Sequence, residues 1–365
     1  RSGFEYAKRE VSTWKLALEQ RMMEPDFKKR WNLAFSGDFP DINLPNYETG
    51  QNVATRKVWG PFIEELAKHH PTLVGGSADL DPSNVTVGFA KLVGDFTSKN
   101  RSGRNFAYGV REFPMGAMNN GIAQHGGLKV FGATFFVFSD YERPAIRLRS
   151  IQGLPVVSEY THDSIYVGED GPTHQPIEHL MACRAIPNLL VFRPADANEA
   201  IVASKMAFEL IDRPALVLLT RQGLPVFDRN TYPPADSMYK GGYIMSDCEG
   251  DPEVVILATG SEVWVALEAM ELLKDVKVRV VNLPCWKLFD EQGEKYRQEV
   301  LGIKAALRVS VEAGITMGWE RYTGLNGLNI GINTFGKSAT GTEVAKHFGI
   351  TPETVAECIR QRLNL

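Results

Sequence analysis

From about residue 51 onward, short apolar runs alternate with amphipathic stretches. "NVATRKVWGPFIEELAKHH" carries Val58, Phe62, Ile63 and Leu66 at the spacing of one helix face. The runs "TLVGG", "NFAYG", "KVFGATFFVF", "LPVVSEYT", "LLVFRPA" and "PALVLLT" read as strands, and the segments 112–126, 139–152, 175–185 and 195–210 between them read as helices. Continuously apolar strands separated by helices predict a parallel sheet covered on both faces. Residues 226–240 form a polar, proline-containing break. A second alternating block follows: "EVVILATG", a helix over 261–274, "VKVRVVNLP", a helix near 291–300, "ALRVSVEA", and a closing helix from Pro352. Thr351 is a suitable cap for that last helix, with proline at its first position. The pattern predicts an α/β protein of two domains, 51–235 and 236–365, each a mostly parallel sheet covered by helices. Residues 1–50 predict one or two exposed helices and then a loop rich in Pro, Asn and Asp, which reads as a linker.

Composition narrows the class. With 365 residues, 44% of them apolar, there is material for two cores. A net charge of −4 argues against nucleic acid or an anionic membrane surface as partner, because both favour a basic face. No apolar run reaches the length of a membrane span. The charged opening "RSGFEYAKRE" is unlike a signal peptide, and a cytoplasmic location is expected. The four cysteines are scattered and read as reduced thiols, neither a disulfide framework nor a zinc site. The chain opens on Arg1 and its first fifty residues contain no strand-like run, as if they continued from another domain.

Chemistry concentrates in "THDSIYVGEDGPTHQP", residues 161–176, which holds His162, Asp163, Glu169, Asp170 and His174 out of only seven histidines in the chain. In open parallel sheets, ligands sit beyond the carboxyl ends of strands. This segment directly follows "LPVVSEY", as "REF" follows "NFAYG" and "RQG" follows "ALVLLT", so three polar clusters are expected to converge. Imidazoles and carboxylates on a Gly/Pro loop can shuttle protons and orient hydroxyls near neutral pH. The alternatives are a solvated acidic loop or a metal site, and the latter lacks an H-x-x-x-H spacing. Glu112 opens a helix of small residues, Gly116, Ala117, Ala123 and Gly126. Its carboxylate could simply complement the helix dipole, and the small residues suit close packing against another subunit. Phe135, Phe138 and Tyr141 fall at i, i+3 and i+6, a spacing that fits either a core stripe or a pocket wall beside Asp140 and Arg143.

Two motif matches are set aside. "GINTFGKS", residues 331–338, spells a phosphate-binding loop, but "ATGT" separates it from the next helix and only 27 residues remain. "GDF" at 94–96 with "NN" at 119–120 faintly resembles a metal–diphosphate motif, but Phe96 replaces its second glycine and no apolar strand leads into it.

Together, "GGSADLDPSN", "GVREF", "TFFVFSDYERPAIR", "THDSIYVGEDGPTHQP", "FRPAD" and "LTRQGLP" resemble segments of the transketolase family, in the same order, and the similarity runs from about 51 to 365. "EDGPTHQP" is the most specific of them. Gly-Pro-Thr-His alone is shared more widely, with deoxyxylulose-phosphate synthases for example. Transketolases move a two-carbon ketol unit between sugar phosphates with thiamine diphosphate and a divalent metal, Mg2+ or Ca2+. Each subunit has a diphosphate-binding, a pyrimidine-binding and a C-terminal domain, and this sequence resembles the last two. The metal motif belongs to the N-terminal diphosphate-binding domain, so the resemblance implies no metal ligand here. It also makes Arg1 a cut end, and the chain a fragment inactive alone.

The resemblance places Glu112 at the aminopyrimidine N1′, in an apolar pocket where its carboxyl can share that nitrogen's proton, and Phe135, Phe138 and Tyr141 as walls of the pyrimidine ring. Asp79 matches a family residue near the cofactor. Asp170 would hold a substrate hydroxyl, and His174 would contact the donor carbonyl and can relay protons. His162, Arg56, Ser83 and Arg221 would grip the phosphate, the two guanidiniums through forked, charge-assisted hydrogen bonds. The resemblance further implies a homodimer, with sugar phosphates as substrates. Three other readings are a natural split subunit working with a partner chain, a non-catalytic dimerisation module, and a pentulose-phosphate synthase or 2-oxoacid dehydrogenase β-subunit. The pair "THDS…EDGPTHQP" with Arg221 favours transketolase over the last.

Overall fold

A computed structural model describes residues 2–35 and 39–365. In chain order the strands are β1 (Asn52–Ala54), β2 (Leu73–Ser77), β3 (Lys129–Phe135), β4 (Val156–Thr161), β5 (Leu190–Phe192), β6 (Ala215–Leu219) and β7 (Gly223–Pro225), then β8 (Tyr243–Ser246), β9 (Val254–Ala258), β10 (Val278–Asn282), β11 (Leu307–Val311) and β12 (Leu328–Ile330). One five-stranded sheet has the order β2-β3-β4-β6-β5 and is parallel throughout. The other has the order β12-β11-β9-β10-β8, with only β8 running antiparallel. Both are covered by helices, as the apolar runs predict: β2, β3, β4, β5 and β6 are buried at every residue.

The helix Arg56–His69 illustrates the periodicity. It buries Val58, Phe62, Ile63 and Leu66, the predicted face, together with Trp59. Trp59 stacks on Phe62 at 6.1 Å and on Phe208 at 6.0 Å, and meets Phe131 edge-on at 5.7 Å. Full burial of one such side chain contributes about 1.5–3 kcal/mol. The closing helix Pro352–Leu363 starts as expected, with Thr351 Oγ1 accepting from the Thr354 N–H at 3.3 Å. Two helices, Ser2–Arg21 and Pro25–Phe35, precede the sheets and bury no residue.

Three expectations change. "NFAYG" is not a strand: Asn105 makes isolated bridges to Gly75 and Asp95, and its amide side chain donates to Asp95 Oδ1 at 2.8 Å. Its backbone follows the edge of β2 (Gly75 N–H to Arg104 O, Phe106 N–H to Gly75 O) and then leaves at Gly109, whose φ is +69°. "KVFGATFFVF" stops as a strand at Phe135, and Phe136–Phe138 form one 3-10 turn leading into the helix Ser139–Gln152. The expected helix over 175–185 shortens to His179–Arg184, because Gly171, Pro172 and Pro176 keep the preceding residues extended or turned. The antiparallel pair β1–β7 and the strand β12 were not anticipated; three-residue strands carry no readable period.

Candidate functional site

The carboxyl ends of β2, β3, β4 and β6 lead into the segments that carry the candidate residues. Glu112 is the first residue of the helix Glu112–His125 and is only 9% exposed. The small-residue helix packs first within the chain. A Cβ on Gly116 would come within 2.8 Å of both Glu142 and Ala145, so only glycine lets this helix lie against Ser139–Gln152. That second helix is fixed to β4 by a buried network: Glu142 pairs with Arg149, Arg149 Nη1 donates to Ser158 Oγ at 2.7 Å, and the Tyr160 hydroxyl donates to Glu142 at 2.6 Å. The outer faces of the two helices leave Phe113, Met118, Tyr141, Leu148 and Ile151 exposed.

The aromatic residues form a row. The rings of Phe135 and Phe138 are parallel, with centroids 5.8 Å apart, and Tyr141 follows at 6.1 Å from Phe138. The row is completed by histidines. His162 stacks on Phe135 at 3.8 Å, and His174 meets Phe138 edge-on at 5.7 Å. Phe135 is buried, Phe138 half-buried and Tyr141 exposed, so the row runs outward from the sheet.

His162 is 4% exposed and sits at φ +60°, a left-handed conformation uncommon for a non-glycine residue. Its Nδ1 lies 2.8 Å from Thr161 Oγ1, which leaves Nε2 for a ligand. Burial, then the nearby charges of Arg56, Arg221 and His174, push its pKa down to about 3. The ring is therefore neutral at physiological pH.

Arg56 opens its helix, and its Nη1 donates to the Ser83 carbonyl at 2.9 Å. Ser83 itself is half-buried on the short helix Asp81–Asn84. Burial and then Arg221 lower the Arg56 pKa, while Glu159 partly opposes them. Arg56 and Arg221 are neighbours because Thr55 and Thr220 clasp each other. The Thr55 N–H donates to Thr220 Oγ1 at 3.0 Å, the Thr220 N–H donates to Thr55 Oγ1 at 2.7 Å, and the hydroxyls lie 3.1 Å apart. This clasp is a feature the sequence did not disclose. Asp79 is exposed, with φ +63°, and Asp170 is exposed at the end of the 3-10 segment Ile165–Asp170. His174 is half-buried, with Nδ1 2.9 Å from Thr173 Oγ1.

Glu159 was also missed. It is fully buried in β4, and neither carboxyl oxygen has a hydrogen-bond partner among the described residues. Burial raises its pKa well above the usual range, and Arg56 offsets this only in part. A glutamate inside "VVSEY" reads as strand alternation, so nothing local flags it. Asp140, Glu178 and His179 each bring a potential ligand atom within 4.8 Å of the others. His179 Nε2 lies 3.0 Å from Asp140 Oδ2, and Arg143 reaches the Ala182 carbonyl close by at 3.2 Å. The imidazole lies between two carboxylates, its Nδ1 3.7 Å from Glu178 Oε2, and Asp140 sits at the positive end of the helix Ser139–Gln152.

"GINTFGKS" is not followed directly by a helix, which begins only at Gly341. It lies against the histidine segment: Gln175 Nε2 donates to the Gly168 and Lys337 carbonyls at 2.8 Å each, the Lys337 N–H donates to Gln175 Oε1 at 3.0 Å, and Ser338 Oγ donates to the Glu169 carbonyl at 2.5 Å.

The sequence profile described as "Transketolase, pyrimidine binding domain" matches residues 51–226, and "Transketolase-like TK C-terminal domain" matches residues 241–351. A transketolase of Aquifex aeolicus is 46% identical over 351 residues, which is 95% of this chain and 51% of that protein. One of Geobacillus stearothermophilus is 46% identical over 355 residues, 96% of this chain and 53% of that protein. The chain thus spans about half the length of the curated relatives it matches. Among solved structures, transketolase from Leishmania mexicana superposes with a TM-score of 0.90 at 38% identity, covering 98% of this chain and 52% of that one. A Pichia stipitis transketolase complexed with sedoheptulose-7-phosphate gives 0.90 at 38% identity, covering 99% and 54%. A split-gene transketolase described as an inactive β4 tetramer gives 0.68 at 26% identity, covering 86% of this chain and 99% of that one.

Proposed function

The chain belongs to the transketolase family through its pyrimidine-binding and C-terminal domains, and we propose that it supplies the pyrimidine end and the sugar-phosphate end of a thiamine diphosphate site for ketol transfer. The observation that carries this reading is the row Phe135–Phe138–Tyr141 beyond the carboxyl end of β3, met by His162, whose imidazole is neutral beside the charges of Arg56 and Arg221.

The residues present suit this end of the cofactor. Glu112 is nearly enclosed yet makes no side-chain hydrogen bond among the described residues, so its carboxyl can take a ring-nitrogen partner. Phe135, Phe138 and Tyr141 present aromatic surface to a planar ring. When bound, thiamine diphosphate supplies the electron sink that ketol transfer needs. Around it, Glu112 holds a proton at the pyrimidine nitrogen. Arg56 and Arg221 bind the substrate phosphate, with Ser83 fixing Arg56 through its carbonyl. His162 adds a hydrogen bond at Nε2 without adding a third charge. Asp170 orients a substrate hydroxyl, Asp79 lines the cofactor side, and His174 moves protons at the carbonyl end.

The diphosphate and its Mg2+ or Ca2+ would be held by a diphosphate-binding domain, on the same polypeptide or on a partner chain. The likeness to a split-gene transketolase described as an inactive β4 tetramer favours an assembly requirement of this kind. A homodimer fits the exposed apolar residues on the outer faces of Glu112–His125 and Ser139–Gln152. The test is calorimetric titration of the chain with thiamine diphosphate and Mg2+, alone and with a separately produced diphosphate-binding domain. Binding only in the presence of that domain supports the reading. Tight binding by the chain alone, or none in either case, overturns it.

A further inference from the structure

Arg193 follows β5, is 1% exposed, and is shared between the two domains. Its Nε donates to Asp163 Oδ2 at 2.8 Å on the first-domain side. Its Nη1 donates to the Thr259 carbonyl at 2.9 Å, to the Thr259 hydroxyl at 3.1 Å and to Glu262, all in the second domain. Glu312 stands 3.8 Å away. Glu312 also accepts both guanidinium nitrogens of Arg184, at 2.8 and 2.9 Å, and the Trp319 indole N–H at 3.0 Å. Burial alone would raise its pKa, but Arg184 and then Arg193 hold it below the usual carboxylate range. Gly260 has φ +56°, and a Cβ there would meet the Arg193 side chain at 2.8 Å, so the backbone itself is shaped around the guanidinium.

Buried charges of this kind add little net stability, and they tolerate only one arrangement of their neighbours. One of those neighbours is Asp163, the residue after His162. The left-handed backbone of His162 is a strained state that persists only where its surroundings over-determine it. The other end of the segment is held from the same domain, through Gln175–Lys337 and Ser338–Glu169.

We infer that Arg193 and Asp163 are positioning residues through which the C-terminal domain fixes His162 in its left-handed conformation with the imidazole against Phe135. This gives the second domain a role that its own loops, which carry no comparable polar cluster, do not reveal. The inference rests on the reading of His162 as a substrate-facing group.

The test is a proton NMR titration of the His162 Cε1–H in the full chain, assigned with His162→Asn. Burial and the facing charges Arg56, Arg221 and His174 oppose protonation, so the unmodified chain shows no His162 titration at or above about pH 5. Asp163→Asn keeps the shape and removes the ion pair. Arg193→Lys keeps the charge and loses the fork. In either folded variant the His162 midpoint is expected to rise above about pH 5, and the ring-current shift from Phe135 to fall by half or more. A lower melting temperature with the titration and ring-current shift unchanged would mean a merely structural role and overturns the inference. Should neither variant fold, hydrogen exchange of the unmodified chain decides. Amides of residues 161–164 are expected to open together with those of 259–263, and exchange 100-fold faster in 161–164 overturns the inference. None of these readouts depends on cofactor binding, so failure of the functional reading would be seen separately, in the calorimetry.

Discussion

The imidazole of His162 stacks on the ring of Phe135 with centroids 3.8 Å apart, while Arg56 and Arg221 hold positive charge close to the same imidazole. The first contact removes water and the second opposes a further cation. Their joint result is a histidine that stays neutral far below its ordinary pKa.

That neutrality makes the fold sensitive to acid. In the unfolded chain the imidazole takes its proton near pH 6.5, in the fold only near about 3, so between these values the unfolded chain binds more protons. Stability is full above about pH 6.5 and falls as pH drops, by up to about 1.4 kcal/mol per pH unit for each such group. His70 behaves alike: its pKa is lowered to about 4 by burial, then by Lys129 and Arg104. Denaturant melts at pH 7 and pH 5 should differ accordingly, and His70→Gln should remove part of the difference. An unchanged slope in that variant would contradict the account.

Glu159 works in the opposite direction. Its folded pKa is raised, so the protonated carboxyl is the stable buried form. The stability it contributes is present below the unfolded value of about 4.3 and is lost as pH rises toward the folded value. Glu159→Gln should therefore stabilise the chain at pH 8 by about 1–3 kcal/mol and leave it nearly unchanged at pH 4. Thermal melts at the two pH values check both halves of the expectation.

Arg56 and Arg221 should act on the phosphate and not on the chemistry. In the assembled enzyme, Arg56→Ala or Arg221→Ala should raise KM for a phosphorylated ketose by about 10- to 150-fold, the worth of a charge-assisted hydrogen bond, and leave an unphosphorylated analogue unaffected. Thr220→Val opens the clasp that seats both arginines and should produce a smaller effect of the same kind. Equal losses on both substrates would count against a phosphate grip.

Glu112→Gln should lower kcat of the assembled enzyme by about 10²- to 10⁴-fold, the range for a lost proton-transfer group, with a much smaller change in cofactor affinity. Glu112→Ala should reproduce the loss. Retained turnover in both would leave the carboxyl only its place at the helix start.

Much of this was legible in the sequence because it is local. Apolar continuity marked every strand of the parallel sheet, and the 3.6-residue period gave four of the seven buried residues of Arg56–His69. The order of the short motifs, "THDSIYVGEDGPTHQP" among them, gave the family. Where it erred, as with "NFAYG", the run is apolar enough to be a strand, but it meets β2 only through an isolated bridge at Asn105 and leaves the edge at Gly109.

The sequence by itself determined most of the strands and helices and the family they belong to, since these are written in periods and neighbours a few residues apart. Only the tertiary structure decided which groups share an environment. Thr55 meets Thr220 across 165 positions, and Arg193 meets Thr259 across 66. The order β2-β3-β4-β6-β5 and the docking of the second domain create those meetings. The physical reason is that a pKa or a buried ion pair depends on desolvation and on charges a few ångströms away in space. No spacing along the chain encodes that His162 loses its charge to Phe135, Arg56 and Arg221, or that Glu159 stands buried with no hydrogen-bond partner among the described residues.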